Sequence, residues 1–194
     1  MELHFDPLGG AAGDMMAAAL LDLRPEAEAP MRAALAAAPL PEGVTVEVRS
    51  LTQGGLSGRR FLVRRHPDGG THHRLDDPHH THWADLRRRL EAAALPPATR
   101  AHALAIFTHL AEAEARVHGT SPEAVAFHEV GAWDSIADIV AVSALLDTLG
   151  VTGAATAPLP MGGGRVQSSH GPLPVPAPAT VLLLDGFDVI DDGI

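Results

Sequence analysis

Leu3-His4-Phe5-Asp6-Pro7-Leu8-Gly9-Gly10-Ala11-Ala12-Gly13-Asp14-Met15 passes from a short apolar stretch through clustered glycines into an alanine-rich run. It reads as a strand over residues 3–6, a tight turn, and a helix over 13–23. The alternation continues outward. A second helix is expected near 31–38. Residues 44–51 alternate apolar Val44, Val46 and Val48 with polar Thr45, Glu47 and Arg49, and 60–65 is apolar at its centre, so the two should pair as strands around 53–58. Helical spacing recurs over 83–94, over 99–118 and in a helix ending near Gly150. The helix over 99–118 should bury Leu104, Phe107, Leu110, Ala111 and Val117 and stop at Gly119. A strand near 155–159, a short helix near 179–184 and a last strand near 187–190 follow. Strands interleaved with helices predict a mixed α/β (α+β) class, with a mixed sheet packed against helices. The 194 residues suit a single domain over 1–194.

The chain has no cysteine, tyrosine or lysine, and all fourteen of its basic residues are arginine. Thiolate nucleophiles, cysteine metal cages, Schiff-base lysines and the lysine of a phosphate-binding P-loop are thereby excluded for this chain acting alone. Catalysis must draw on His, Asp, Glu, Ser, Arg or a metal. A formal net charge of -10 with 4% aromatic residues argues against nucleic acid as a partner. The start of the chain has neither a basic region nor an apolar run of signal-peptide type, and the apolar stretch 15–23 is interrupted by Asp22. A cytoplasmic protein without membrane contact is expected.

Four clusters carry candidate chemistry. Phe127-His128-Glu129-Val130-Gly131-Ala132-Trp133-Asp134-Ser135-Ile136-Ala137-Asp138 gathers one imidazole and three carboxylates at a helix start, with Asp134 and Asp138 four apart on one face. Such nitrogen and oxygen ligands suit nickel or zinc. Equally, Asp134 could be an N-cap and Asp138 a complement to the helix dipole. Residues 66–82 hold six of the twelve histidines, among them His79, His80 and His82, and form a metal-binding tract by composition. Asp6 and Asp14 bracket the first glycine turn, where Gly9, Gly10 and Gly13 could bring backbone amides to a phosphate if a cation bridged the carboxylates. The alternative is a tight turn with Asp14 as helix cap. Gly162-Gly163-Gly164-Arg165, with His170 shortly after, offers a further phosphate contact or a plain glycine turn.

Taken in order, Asp6-Pro-Leu-Gly-Gly-Ala-Ala-Gly-Asp14-Met, His82-Trp-Ala-Asp85-Leu, Leu110-Ala-Glu-Ala-Glu-Ala-Arg-Val-His118-Gly, Phe127-His-Glu-Val-Gly-Ala-Trp-Asp134-Ser-Ile-Ala-Asp138 and Ser169-His170-Gly-Pro-Leu-Pro-Val-Pro resemble the N-terminal region of the LarC family of nickel-insertion proteins. The resemblance implies a CTP-dependent nickel chelatase, or cyclometallase, working with magnesium or manganese. Its substrate would be pyridinium-3,5-bisthiocarboxylic acid mononucleotide and its product the nickel-pincer cofactor of lactate racemase. On this footing His128, Glu129 and Asp134 would be catalytic. His79, His80, His82, His128, Asp138 and His170 would bind or relay nickel, while Asp6, Gly9, Gly10, Gly13, Asp14 and Arg165 would hold the nucleotide side of the substrate. Family members often show histidine where this chain has Ala126. Against full-length members, a C-terminal domain associated with CTP binding and oligomer formation is expected to be missing. That domain, lactate racemase apoprotein and further copies of the chain are the implied partners. A non-catalytic nickel or zinc carrier and a metal-dependent phosphohydrolase using Asp6, Asp14, His128 and Asp138 are the rival readings.

Overall fold

The structure, a computed structural model, describes residues 1–65, 81–127, 132–168, 171–191 and 193. Strand β1 (Glu2–Phe5) leads through the glycine turn into α1 (Gly13–Leu23), and a single 3-10 turn joins it to α2 (Glu28–Ala37). A hairpin follows, β2 (Val44–Gln53) with β3 (Leu56–Arg65). Past 66–80 come β4 (Thr81–His82), α3 (Trp83–Ala92), α4 (Pro97–His118), β5 (Ala126–Phe127) and α5 (Trp133–Thr148). The last part holds β6 (Gly153–Thr156), β7 (Leu159–Pro160), β8 (Arg165–Ser168), β9 (Gly171–Pro174), α6 (Pro178–Leu183) and β10 (Val189–Ile190). The class is mixed α/β, as expected. Its described strands are grouped in pairs: β1 with β6 and β7 with β10 run parallel, whereas β2–β3, β4–β5 and β8–β9 are antiparallel.

Helix α5 is the centre of the core. It is apolar on most of its circumference, burying Ile136, Ala137, Val140, Ala141, Val142, Ala144 and Leu145, and such a helix needs neighbours on several sides. It packs against α1, α2 and α4. Thr99, itself buried on α4, donates to the Asp147 carboxylate at 2.8 Å and ties the two helices. The hairpin lays Val46, Val48, Phe61 and Val63 onto this core, β3 packing on α1. Arg59 fastens it further, 3.8 Å from Asp22 and 3.4 Å from Glu28.

The hairpin is longer than the sequence reading allowed. Gly54 and Gly55 both have positive φ, as a two-residue hairpin turn of the primed type requires, so pairing runs down to Gln53 and Leu56. Helix α4 ends at Gly119 in the left-handed conformation, as expected. Val117, expected inside, is 41% exposed. The buried row is Thr99, Ala103, Phe107, Ala111 and Ala115, a four-residue spacing that carries the stripe away from position 117. Leu104 and Leu110 pack at its rim. Neither aspartate caps its helix: the caps are Ala12 and Ala132, and Asp14 and Asp134 lie inside the first turns of α1 and α5.

Candidate functional site

Two of the clusters meet. Gly13, the first residue of α1, lies so close to α5 that a Cβ at position 13 would stand 2.7 Å from the Asp138 Cβ and 3.0 Å from its Oδ2. The Asp14 amide is hydrogen-bonded to the Asp138 side chain. The glycine turn that follows β1 and the first turns of α5 therefore form one locus, carrying Asp14, Asp134 and Asp138. Asp138 is half-buried. Its carboxyl is pushed up to about 7, chiefly because burial disfavours the charged form, then because Asp14 and Asp134 add negative charge, with the Asp14 amide pulling the other way. Asp14 also accepts the Met15 amide at 2.8 Å, and Asp134 accepts the Ser135 amide at 2.7 Å, so both carboxylates are held to their own helix ends.

Asp6 is exposed at the end of β1, and its carbonyl accepts the Leu8 amide. Gly9 and Gly10 have positive φ and open space where a Cβ would be, so they are there for the turn; Gly13 has ordinary φ and is there for the close approach. The local pattern around Asp6–Asp14 shows the glycines but not this difference. The partnership of Gly13 with Asp138 is long-range and leaves no local signal.

A second arrangement aims chain segments at the same end of α5. Thr81 opposes Phe127 and His82 opposes Ala126 in an antiparallel pair, and the Trp83 amide donates to the Val125 carbonyl at 3.0 Å. The histidine tract thus re-enters the fold beside the strand that leads to 128–131 and on to α5. Beneath both lies an aromatic trio: Trp83, Phe107 and Phe127 are buried with ring centroids 6.1–6.2 Å apart. Offset and tilted rings at this spacing pack firmly. His82 itself is exposed. His79, His80, His128, Glu129 and His170 lie outside the described residues. Arg165 opens β8, exposed and opposite Pro174, without an ion-pair partner among the described residues. Among the described residues no group of three or more His, Asp or Glu side chains is arranged to hold a metal ion. A cavity of about 380 Å³ at the far end of α1, lined by Asp22, Ser50, Thr52, Ser57 and Arg59, has its one cation already paired with Asp22 and Glu28. No described helix is long and apolar enough to cross a membrane.

The profile of the family described as nickel insertion protein matches residues 3–193. A relative from Citrifermentans bemidjiense, provisionally named nickel insertion protein, is 44% identical over 189 residues, which is 97% of this chain and 46% of the relative. A relative from Akkermansia muciniphila, named pyridinium-3,5-bisthiocarboxylic acid mononucleotide nickel insertion protein, is 43% identical over 187 residues, 95% of this chain and 45% of its own length. The chain spans about half the length of the curated relatives it matches. No solved structure matches it. With its profile match running over nearly every residue, the chain belongs to the nickel insertion protein family.

Proposed function

We propose that this chain handles nickel for insertion into pyridinium-3,5-bisthiocarboxylic acid mononucleotide, as a CTP-dependent cyclometallase assisted by magnesium or manganese, to complete the nickel-pincer cofactor of lactate racemase. The observation that carries the reading is the close approach of Gly13 to Asp138, which joins the glycine turn to the acidic start of α5. The name of the Akkermansia muciniphila relative supplies the substrate class. A cysteine-free chain suits this substrate, because the two sulfur ligands come from its thiocarboxylates. The protein needs only exchangeable nitrogen and oxygen ligands for the incoming ion.

Forming the nickel–carbon bond replaces a ring C–H bond, so one proton must leave as Ni²⁺ is taken up. A base beside the metal must accept it. His128 or Glu129 is assigned that step, with Asp134 orienting the site and Asp138 among the nickel ligands. His79, His80, His82 and His170 are assigned to capture and relay of the ion. Asp6, Gly9, Gly10, Gly13, Asp14 and Arg165 are assigned to the nucleotide side. The reaction belongs in the cytoplasm, where lactate racemase apoprotein and further copies of the chain are the expected partners.

The test is nickel incorporation into the bisthiocarboxylate mononucleotide, followed by mass and absorbance, with CTP and magnesium or manganese. The chain is assayed alone and with the remaining half of a full-length relative. Product in the mixture supports the reading. Stoichiometric nickel binding with no product in either assay would leave a carrier. Turnover of simple phosphate esters without the thiocarboxylate would point to a phosphohydrolase.

A further inference from the structure

The last stretch of the chain has secondary structure without a core. The hydrophobic core ends with Leu145 and its fringe with Leu149, and from 151 onward no described residue is buried. Yet this stretch holds five described strands and a helix. Helix α6 lies along α4 without burying a residue. Strands β7 and β10 form a parallel pair of two residues each. Such a pair does not stand alone in water, because two-stranded sheets are marginal and parallel strands are normally covered on both faces. Here both faces are open: Val189 and Ile190 follow one another in β10, point to opposite sides and are 42% and 49% exposed. Phe187, just before them, is 52% exposed. One edge is open as well. The Asp188 and Ile190 carbonyls accept the Leu159 and Met161 amides, so alternation turns the Val189 amide and carbonyl the other way, where no described strand pairs with them.

We propose that β10 and the flanking residues 185–191 are the docking surface for the other half of the full-length family protein, which adds a strand along the outer edge of β10 and covers Phe187, Val189 and Ile190. The relatives from Citrifermentans bemidjiense and Akkermansia muciniphila match this chain over 46% and 45% of their lengths, so each carries a larger share of polypeptide with no counterpart here. The family match runs to residue 193 and includes the uncovered layer. A second copy of the chain fits this surface poorly. Asp185, Asp188 and Asp191 are exposed along it, and two copies of formal net charge -10 would set these carboxylates against themselves. The same carboxylates define the chemistry of the occupant: an apolar strand with arginine or lysine at its rim. The inference stands whether or not Asp138 binds nickel.

The test is amide hydrogen exchange on the 194-residue chain, alone and co-expressed with the remaining half of the Akkermansia muciniphila relative. Alone, the amides of 185–191 should exchange fast. In the co-purified complex the Val189 amide and its neighbours should slow at least tenfold, while α1 to α5 change little. Val189→Pro removes only the donor on the open edge, and Phe187→Asp puts a charge on the apolar surface. Neither residue belongs to the core, so both variants should melt like the native chain. Each should weaken the complex about tenfold when it is diluted. Should Val189→Pro melt lower, Phe187→Asp decides. Failure of a folded half to co-purify, protection confined to other elements, or native association in the variants overturns the inference. Slowing of the same amides in the chain alone as its concentration rises would make a second copy the occupant and overturn it too. Should the separate half not fold, the full-length relative gives the reading: slow exchange over the stretch aligned with 185–191 is expected, and fast exchange there overturns the inference.

Discussion

Asp138 holds its proton up to about pH 7 because burial, Asp14 and Asp134 all oppose its ionisation. The folded state therefore binds a proton that the unfolded chain, with an ordinary aspartate, has released. Between about pH 4 and 7 stability should fall as pH rises, and above 7 this contribution is constant. The full shift would be worth about 4 kcal/mol at 1.36 kcal/mol per unit, and solvent screening of a half-buried group reduces it to about 1–2 kcal/mol. Asp138→Asn keeps an oxygen for the Asp14 amide and removes the charge. The metal-free variant should melt higher than the native chain at pH 8 and at about the same temperature at pH 4. Melting curves that shift in parallel across this range would sink the account. Asp14 and Asp134 each hold an adjacent amide of their own helix, and that leaves Asp138 as the carboxyl that burial and two neighbouring charges act on together.

The elements that aim the site differ in how they are held. Helix α5 is gripped by three other helices, whereas β4 and β5 are two residues each and depend on the aromatic trio below them. Phe127→Ala should cost about 3–5 kcal/mol through the cavity it leaves. It should also reduce nickel insertion more than its stability loss explains, because Phe127 leads directly into 128–131. Urea denaturation with the insertion assay run well below the transition checks this; undiminished insertion in the folded variant would show that the pair does not aim the site. The sequence reading located α1 at its observed limits and α2 to α6 within a few residues, because amphipathic spacing and Gly119 are local signals. It also found the acidic and glycine clusters. It missed β4 and β5, whose two-residue length carries no periodicity, and β8–β9, because Pro172 and Pro174 in β9 argue against a strand there. Above all it could not see Gly13 against Asp138, a contact between two elements far apart in the chain.

Across the whole molecule, nickel capture and nickel positioning are assigned to separable parts. The chain enters 66–80 from Arg65, at the end of a ten-residue ladder, and leaves it at Thr81, which pairs with Phe127. Each end is tied into a described strand pair. Replacing 66–80 with a glycine-serine linker of the same length should therefore leave the melting temperature nearly unchanged, since the closure entropy of a loop depends mainly on its length. The replacement removes His66, His72, His73, His79 and His80, and nickel stoichiometry should fall accordingly. The component that disappears in Asp138→Asn should persist in the linker protein. Insertion, assayed with the remaining half of a full-length relative, should then continue at high nickel and fail first at low nickel, where capture limits the rate. If the linker protein instead loses the Asp138-dependent component, the tract supplies ligands to that same ion, and capture and positioning are one site reached from two ends of the fold.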